Sequence, residues 1–342
     1  GWRVRVYGAC APGAFAGAEY LPWWLFDPGD QRDVLVSSRF PSLVRDDPRG
    51  VRVLWLHDAE YPDLAANVAG WDEVWCVGAW QRDQLAFAAL ASAAANDGMV
   101  AHPDSWVVMP NGIPVAAWDY GARTFKQREP WAVYSSSPDR GLVNLLQLWP
   151  DVLDLVAEAS PGTAPQLHLA YGFTSTYEAM AEHSPHLQAV RREVEDAMAM
   201  PGVVWHGTLG QAALRGLQQR ARVWAYPTDF PEVSCITAME AQAAGMAVLT
   251  TEPAQLQRFP AWEQCSERDR MAYAQELAQL LVDAERWGPY HQRSREQAPR
   301  FDVTLVAEQW NDRLLQLTGR RADDTDVRTS PTDPRSEPAW TP

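Results

Sequence analysis

The sequence predicts an α/β protein built from two doubly wound domains. Short apolar runs ending in polar residues alternate with helical patterns along most of the chain, the order that gives a parallel sheet with helices on its faces. The runs are nearly continuous rather than alternating in polarity, as in Val51 to His57 (VRVLWLH) and Glu73 to Val77 (EVWCV), which marks strands covered on both sides. At 342 residues the chain has room for about two such domains.

Composition narrows the function classes. Hydrophobic residues make up 46% of the chain, ample for buried cores, and the net charge is −15. An acidic chain has no global attraction to nucleic acid or anionic lipid, although a local basic pocket remains compatible with it. Lys126 is the only lysine among 29 basic residues. The cysteines, Cys10, Cys76, Cys235 and Cys265, form neither a metal-ligand spacing nor a disulfide framework. A reducing, cytoplasmic setting is therefore expected. No apolar run approaches the ~20 residues that span a bilayer.

In the first half, GWRVRVYGAC reads as a strand, followed by strands at Asp33–Ser37, Val51–His57, Glu73–Val77 and Ser105–Met109, with a helix over Ala79–Ala95. His57 and Asp58 stand at a strand's carboxyl end, where open α/β sheets bind ligands. A histidine there is ordinarily a hydrogen-bonded structural residue, and ligand contact is the second reading. Pro110–Ile113 (PNGI) is a turn in which Asn-Gly supplies a positive φ. A linker over 114–130 follows.

In the second half, Trp131–Ser135 is a strand. Pro138 and Asp139 open a helix whose apolar face carries Leu142, Leu145, Leu146 and Trp149. Arg140 falls in its first turn, against the helix dipole, which suits a nearby anion or merely a solvated guanidinium. Gln166–Tyr171 is a strand containing His168, a core or surface histidine. Residues 174–200 are polar and helical in tendency. Val203–Trp205 is a strand, His206-Gly207-Thr208 a turn, Gln211–Arg222 a helix and Val223–Tyr226 a strand. Pro227 and Pro231 bracket a loop. A helix begins at Ser234, with Ile236, Met239 and Ala243 at spacings of three and four. Gly245 stops it, and Ala247–Thr251 is the next strand. Helices follow over Met271–Ala284 and Phe301–Leu317, and the tail 320–342 is rich in Asp, Thr, Ser and Pro, as disordered segments are. Asp324 and Asp326 match a metal-binding pattern by letters only.

Two carboxylates flank the start of the helix after Pro231. Glu232 precedes it and Glu240 lies two turns in, a separation worth ~12 Å along a helix axis. The helix N-terminus between them offers free N–H groups to phosphate. A ligand with hydroxyls at both ends and phosphates between would fit. Acidic residues are favourable at a helix start in any case, and such a pair also arises by chance.

Taken together, these motifs resemble family 4 retaining glycosyltransferases, whose GT-B fold places two facing Rossmann-like domains about a cleft. Glu232, VSCITAM, Glu240 and AQAAGMAV resemble the family's donor-binding signature. GWRVRVYG, WLHD with EVWCVGAWQRD, PNGI, Arg140-Gly141-Leu142, the V-x-x-x-G of Val203–Gly207 and the closing helix follow in the family's order. The resemblance implies an N-terminal acceptor-side domain over 1–128, a nucleotide-sugar domain over 129–297 and a returning helix over 298–319. It also places GWRVRVYG as the second strand of its domain, with the first strand, a Gly-rich loop and a helix expected upstream.

The implied reaction moves a sugar from a nucleoside-diphosphate donor to a hydroxyl of a glycan, lipid, protein or small-molecule acceptor, without metal or other cofactor. Arg140 and the amides of Val233, Ser234, Cys235 and Ile236 would stabilise the diphosphate, Glu232 would hold the sugar and Glu240 the ribose. His57 would contact the transferred sugar, and His206 and Gly207 would border the base, His206 being equally readable as a turn filler. Two departures stand out. Ser135 and Ser136 occupy the place of a second basic residue, whose donor-binding role would fall to hydroxyls such as that of Ser136 or to an arginine from elsewhere, and Glu252-Pro253-AQLQRF replaces a longer Gly-rich loop. Two further readings share the scaffold: a sugar-nucleotide epimerase or hydrolase, and a non-catalytic GT-B domain of a larger protein.

Overall fold

The structure, a computed structural model, describes residues 2–43, 50–95, 106–118, 123–251 and 264–320. The divergent loop after Thr251, the tail beyond Arg320 and the Asp324–Asp326 pattern lie outside them. The chain divides into two compact units, Gly1–Met109 with Ala307–Pro342, and Pro110–Val306.

The first unit begins with β1 (Val4–Gly8), β2 (Gly13–Phe15) and β3 (Ala18–Pro22), a three-stranded sheet in the order β1-β3-β2. The strand read from GWRVRVYG, β1, pairs in parallel with β3 and is not part of the unit's four-stranded sheet. Strands β2 and β3 form a hairpin whose two turn residues, Ala16 and Gly17, have φ of 48° and 80°. Positive φ at both positions matches the right-handed strand twist. The hairpin escaped the sequence reading because alanine seldom adopts that conformation.

The main sheet of this unit comprises β4 (Val34–Ser38), β5 (Val51–Leu56), β6 (Glu73–Cys76) and β7 (Trp106–Val108), all parallel and in sequence order. Two helices, α1 (Leu64–Asn67) and α2 (Ala79–Ala95), lie between its strands in sequence. One face packs Leu54, Leu56, Val74 and Cys76 against Leu64, Leu85 and Ala89. The other packs Val53, Trp75 and Met109 against Trp310, Leu314 and Leu317 from the last helix, Val303–Thr318. Burial on both faces is why these strands read as continuous apolar runs. Trp310 stands edge-on to Trp55 and Trp75, each at 4.7 Å between ring centroids. Beside it the buried Glu73 accepts from Trp75 Nε1 at 2.6 Å and from Arg313 Nε at 3.0 Å.

In the second unit the elements are β8 (Glu129–Tyr134), α3 (Leu142–Ala159), β9 (Gln166–Ala170), α4 (Ser175–Ala181), α5 (Pro185–Ala197), β10 (Val203–Gly207), α6 (Gln211–Arg220), β11 (Ala221–Tyr226), α7 (Ile236–Ala243), β12 (Ala247–Thr250), α8 (Glu267–Val282), α9 (Ala284–Gln297) and the start of α10 (Val303–Thr318). Its five strands are parallel in the order β10-β9-β8-β11-β12. The winding therefore reverses between β8 and β11. Ala132, Leu167, Leu169, Val223 and Ala225 are essentially buried in its core. Helix α9 was not foreseen, because Gly288 and Pro289 fall inside it and read as breakers. No helix among the described residues is long and apolar enough to cross a membrane.

Two glycines act differently from their sequence reading. Gly112 does not take a positive φ; a Cβ there would lie 2.9 Å from Val303 Cα, so its role is close approach. That approach lets Ile113 bridge to Asp302. Gly141 is the N-cap of α3 with φ 105°, and a Cβ on it would meet Pro227 O at 2.2 Å. The helix thus starts at Leu142, and Arg140 precedes it instead of lying in its first turn. Gly245 ends α7 as expected, with φ 72° and bonds from Gly245 N to Gln242 O (2.9 Å) and Met246 N to Ala241 O (3.0 Å).

Candidate functional site

The carboxyl ends of β8 and β11 meet at the winding reversal, the position where open α/β sheets bind ligands. From β8 comes the segment Ser135–Gly141, and from β11 the loop that runs to Glu232. Local chemistry fixes that loop. Pro227 forbids continued strand pairing. Thr251 Oγ1 accepts from Thr228 N at 2.7 Å and donates to Thr228 O at 2.6 Å. Asn144 Nδ2 holds Pro227 O at 2.9 Å, and Phe230 N reaches Thr228 Oγ1 at 2.9 Å. The close pass of Gly141 beneath Pro227 brings the two segments together.

Arg140, Tyr226 and Glu232 converge there. Glu232 is 6% exposed. Its Oε1 accepts from Tyr226 Oη at 2.6 Å and from Arg140 Nη1 at 3.2 Å. The Arg140 guanidinium lies 3.9 Å from the centroid of the Phe230 ring, within cation–π range. Burial works against its charge, but Glu232, Tyr226 and Asp139 outweigh it and raise its pKa. Burial, with Tyr134 and Glu232 nearby, lifts the Tyr226 phenol well above its usual range, so it remains a donor at neutral pH. Ser136, also buried, places Oγ 3.5 Å from Tyr226 Oη. Ser135 is occupied elsewhere: its Oγ accepts from Trp224 Nε1 at 3.2 Å and Gln218 Nε2 at 3.4 Å.

The segment after Glu232 leads into α7. Val233 is buried; Ser234 and Cys235 are half-buried, and Ile236 is exposed. Cys235 is the N-cap and makes no side-chain cap bond. Two buried polar atoms of this region, Arg140 Nε and Ser234 Oγ, have no partner among the described residues. Glu240 is the fifth residue of α7, one turn in instead of two. Glu232 sits in the loop, so the ~12 Å helix-rise estimate does not apply to the pair. Glu240 is 5% exposed. Burial raises its pKa to about 7, with Arg215 and a hydrogen bond from Gln211 opposing the shift.

His206 and Gly207 close β10 instead of forming a turn, and Gly207 has φ 64°. His206 Nε2 lies 2.8 Å from His168 Nδ1, and His168 Nε2 lies 3.0 Å from Gln166 Oε1. An amide oxygen only accepts, so His168 carries its proton on Nε2 and accepts from His206 through Nδ1. His168 is therefore a satisfied core residue; burial, then His206 and Arg220, depress its pKa to about 4.

His57 belongs to the first unit, just past β5. Its ring stacks edge-on against Trp55 at 4.1 Å, and its buried Nε2 has no partner among the described residues. Burial, then Arg39, push its pKa down to about 4 against the opposing charge of Asp58. The imidazole is neutral at physiological pH. Asp58 is a loop builder: it pairs with Arg39 Nε at 3.1 Å, accepts from Tyr61 Oη at 3.1 Å and gives its carbonyl to Gln81 Nε2 at 2.8 Å.

Sequence reasoning passed over Tyr226 and Phe230. Tyr226 reads as the last apolar residue of a strand; its one signal is a phenol placed at a carboxyl strand end just before proline.

No family model matches the chain, and no curated protein matches it. Solved structures do. A UDP-forming α,α-trehalose-phosphate synthase from Burkholderia xenovorans is similar over 86% of this chain and 75% of that one, with TM-score 0.61 and 12% identity. E. coli trehalose-6-phosphate synthase bound with UDP-2-fluoroglucose aligns over 78% and 68%, with TM-score 0.57 and 13% identity. Anabaena HepE in complex with UDP and glucose aligns over 78% and 72%, with TM-score 0.52 and 15% identity. These neighbours are GT-B glycosyltransferases, and the chain has the α/β GT-B fold with Rossmann-like units. At such identities the likeness is one of fold.

Proposed function

We propose that the protein is a retaining glycosyltransferase of family 4 that moves a sugar from a nucleoside-diphosphate donor to a hydroxyl acceptor. The observation that carries this is the convergence of Arg140 and Tyr226 on one oxygen of Glu232 at the winding reversal, with Glu240 in the helix that follows. Family membership rests on the Glu232–Glu240 signature and its flanks.

In this reading the diphosphate lies at the N-terminus of α7, where the amides of Val233 to Ile236, Ser234 Oγ and Arg140 supply donors. Charge develops on the diphosphate as the glycosidic bond breaks, and preorganised donors of this kind stabilise it. Glu232 holds sugar hydroxyls through its remaining acceptor capacity. Glu240 binds the ribose, and the family resemblance assigns His57, neutral and with its Nε2 unpartnered among the described residues, a contact to the transferred sugar. The departing phosphate oxygen takes the acceptor proton, so no protein base is required. Because the structural neighbours include a UDP-forming enzyme and a complex with UDP and glucose, UDP-glucose is the first donor to test.

The experiment is turnover of UDP-glucose with and without a panel of hydroxyl acceptors, read by UDP release and by proton NMR of the new anomeric centre. Acceptor-dependent formation of an α-linked product supports the proposal. A β-linked product contradicts retention, and equal UDP release without acceptor indicates a hydrolase or epimerase.

A further inference from the structure

We infer that Tyr226 is a positioning residue for the donor sugar: its hydroxyl fixes the rotamer of Glu232 so that Oε2 alone faces the ligand. The inference rests on the proposed function and concerns a residue outside the motif that suggested it.

Both donors on Glu232, Tyr226 Oη at 2.6 Å and Arg140 Nη1 at 3.2 Å, reach the same oxygen, Oε1. Among the described residues Oε2 takes no hydrogen bond. A carboxylate gripped at one oxygen from two directions has little freedom to rotate, and its other oxygen keeps its lone pairs for incoming hydroxyl groups. The Tyr226 ring is itself immobile. It is fully buried, lies 4.9 Å from Trp224 and 5.7 Å from Tyr134 by centroids, and its backbone N–H is held by Tyr273 Oη at 3.0 Å. A side chain that binds substrate is thus oriented by one locked in the core, the arrangement that precise sites require.

The division of labour on Glu232 is unequal. Arg140 is also the proposed phosphate cation, so its grip on Oε1 competes with the ligand. Tyr226 sits too deep for that, and it keeps Glu232 in place when Arg140 turns to phosphate. A purely structural phenol would need only a partner of its own, and Ser136 Oγ at 3.5 Å stands ready for that role. The specific consequence is a split between sugar and nucleotide recognition.

The test is calorimetric titration of UDP and of UDP-glucose into the wild type, Tyr226→Phe, Glu232→Gln and the double variant. Tyr226→Phe keeps the ring and its packing, so the fold and its melting temperature hold within a few degrees. The expected result is UDP affinity within twofold of wild type, about tenfold weaker UDP-glucose binding, and a double variant no weaker than Glu232→Gln alone. UDP-glucose affinity unchanged in Tyr226→Phe but reduced in Glu232→Gln overturns the inference and leaves the proposed function standing. Equal loss for UDP and UDP-glucose also overturns it. A wild type that binds neither overturns the proposed function, and the inference with it.

Discussion

Arg140 and Glu232 stand 92 positions apart in the sequence and 3.2 Å apart in the structure. The side chain proposed to meet phosphate and the one proposed to meet sugar are therefore already in contact, across the winding reversal of the sheet. The pair is part-buried, so each side chain suffers if the other is removed.

Arg140→Ala should weaken nucleoside-diphosphate binding by roughly ten- to a hundredfold, the loss of one charge-assisted hydrogen bond and its charge. Arg140→Lys should recover only part, since an ammonium is a point charge without the planar fork and stacks less well on Phe230. Calorimetry with UDP checks both. Equal affinity for all three proteins would remove Arg140 from the site.

Glu240 predicts a pH signature in stability. Its carboxyl is raised to about 7 by burial from an ordinary value of 4.5. The folded state therefore holds the proton more tightly than the unfolded chain. Stability from this group is complete below about pH 4.5 and is lost as pH rises towards about 7. The loss amounts to roughly 3 kcal/mol at 1.36 kcal/mol per unit. Glu240→Gln has no proton to lose. Its stability relative to wild type should climb between pH 5 and 8, measured by urea unfolding at each pH, while its sugar-nucleotide affinity falls. Parallel stability curves would contradict the burial argument.

How much of this was readable before folding depends on the range of the contact. The runs at 51–57 and 73–77 announce their strands because both faces of each strand are buried, and Gly245 announces a helix end because only a residue tolerant of left-handed φ fits there. Glu232 and Glu240 were found through the pattern around them. The partner of Glu232 was not, since nothing local ties Tyr226 to a carboxylate six residues on across two prolines. Arg140 was found as a cation but put in the wrong place, because the constraint that delays α3 to Leu142 is the carbonyl of Pro227, far away in sequence. The Ala16-Gly17 hairpin and α9 were missed for the opposite reason: their local residues argue against the structures they adopt.

His57 should titrate far below an ordinary histidine. Proton NMR of its ring should give a pKa of about 4 in the folded protein, set first by burial and then by Arg39. A lowered base favours folding above its unfolded value of 6.5, and that contribution is lost as pH falls towards 4. His57→Ala should reduce turnover with little effect on UDP affinity. Titration near 6.5 would show an imidazole open to water and not buried against Trp55.

Glu73 and Arg313 make a second prediction about the fold of the first unit. Glu73 is 2% exposed in β6 and is held by Arg313 and by Trp75. Arg313→Ala leaves a buried carboxylate short of its counter-charge and should cost about 3–5 kcal/mol, seen as a lowered melting temperature. Adding Glu73→Gln should restore much of the loss. An unchanged melting temperature in Arg313→Ala would mean that α10 does not depend on this pair for its seat against Val53 and Trp75 of the sheet.

In the proposed function the Arg140–Tyr226–Glu232 cluster receives a sugar nucleotide. Calorimetric titration of UDP-glucose into wild type and into the double variant Arg140→Ala/Glu232→Gln tests it most directly. Saturable binding at one site per chain in the wild type, abolished in a double variant that melts cooperatively, is the predicted result. Binding of equal strength in both proteins, or no saturable binding to the wild type, would contradict it.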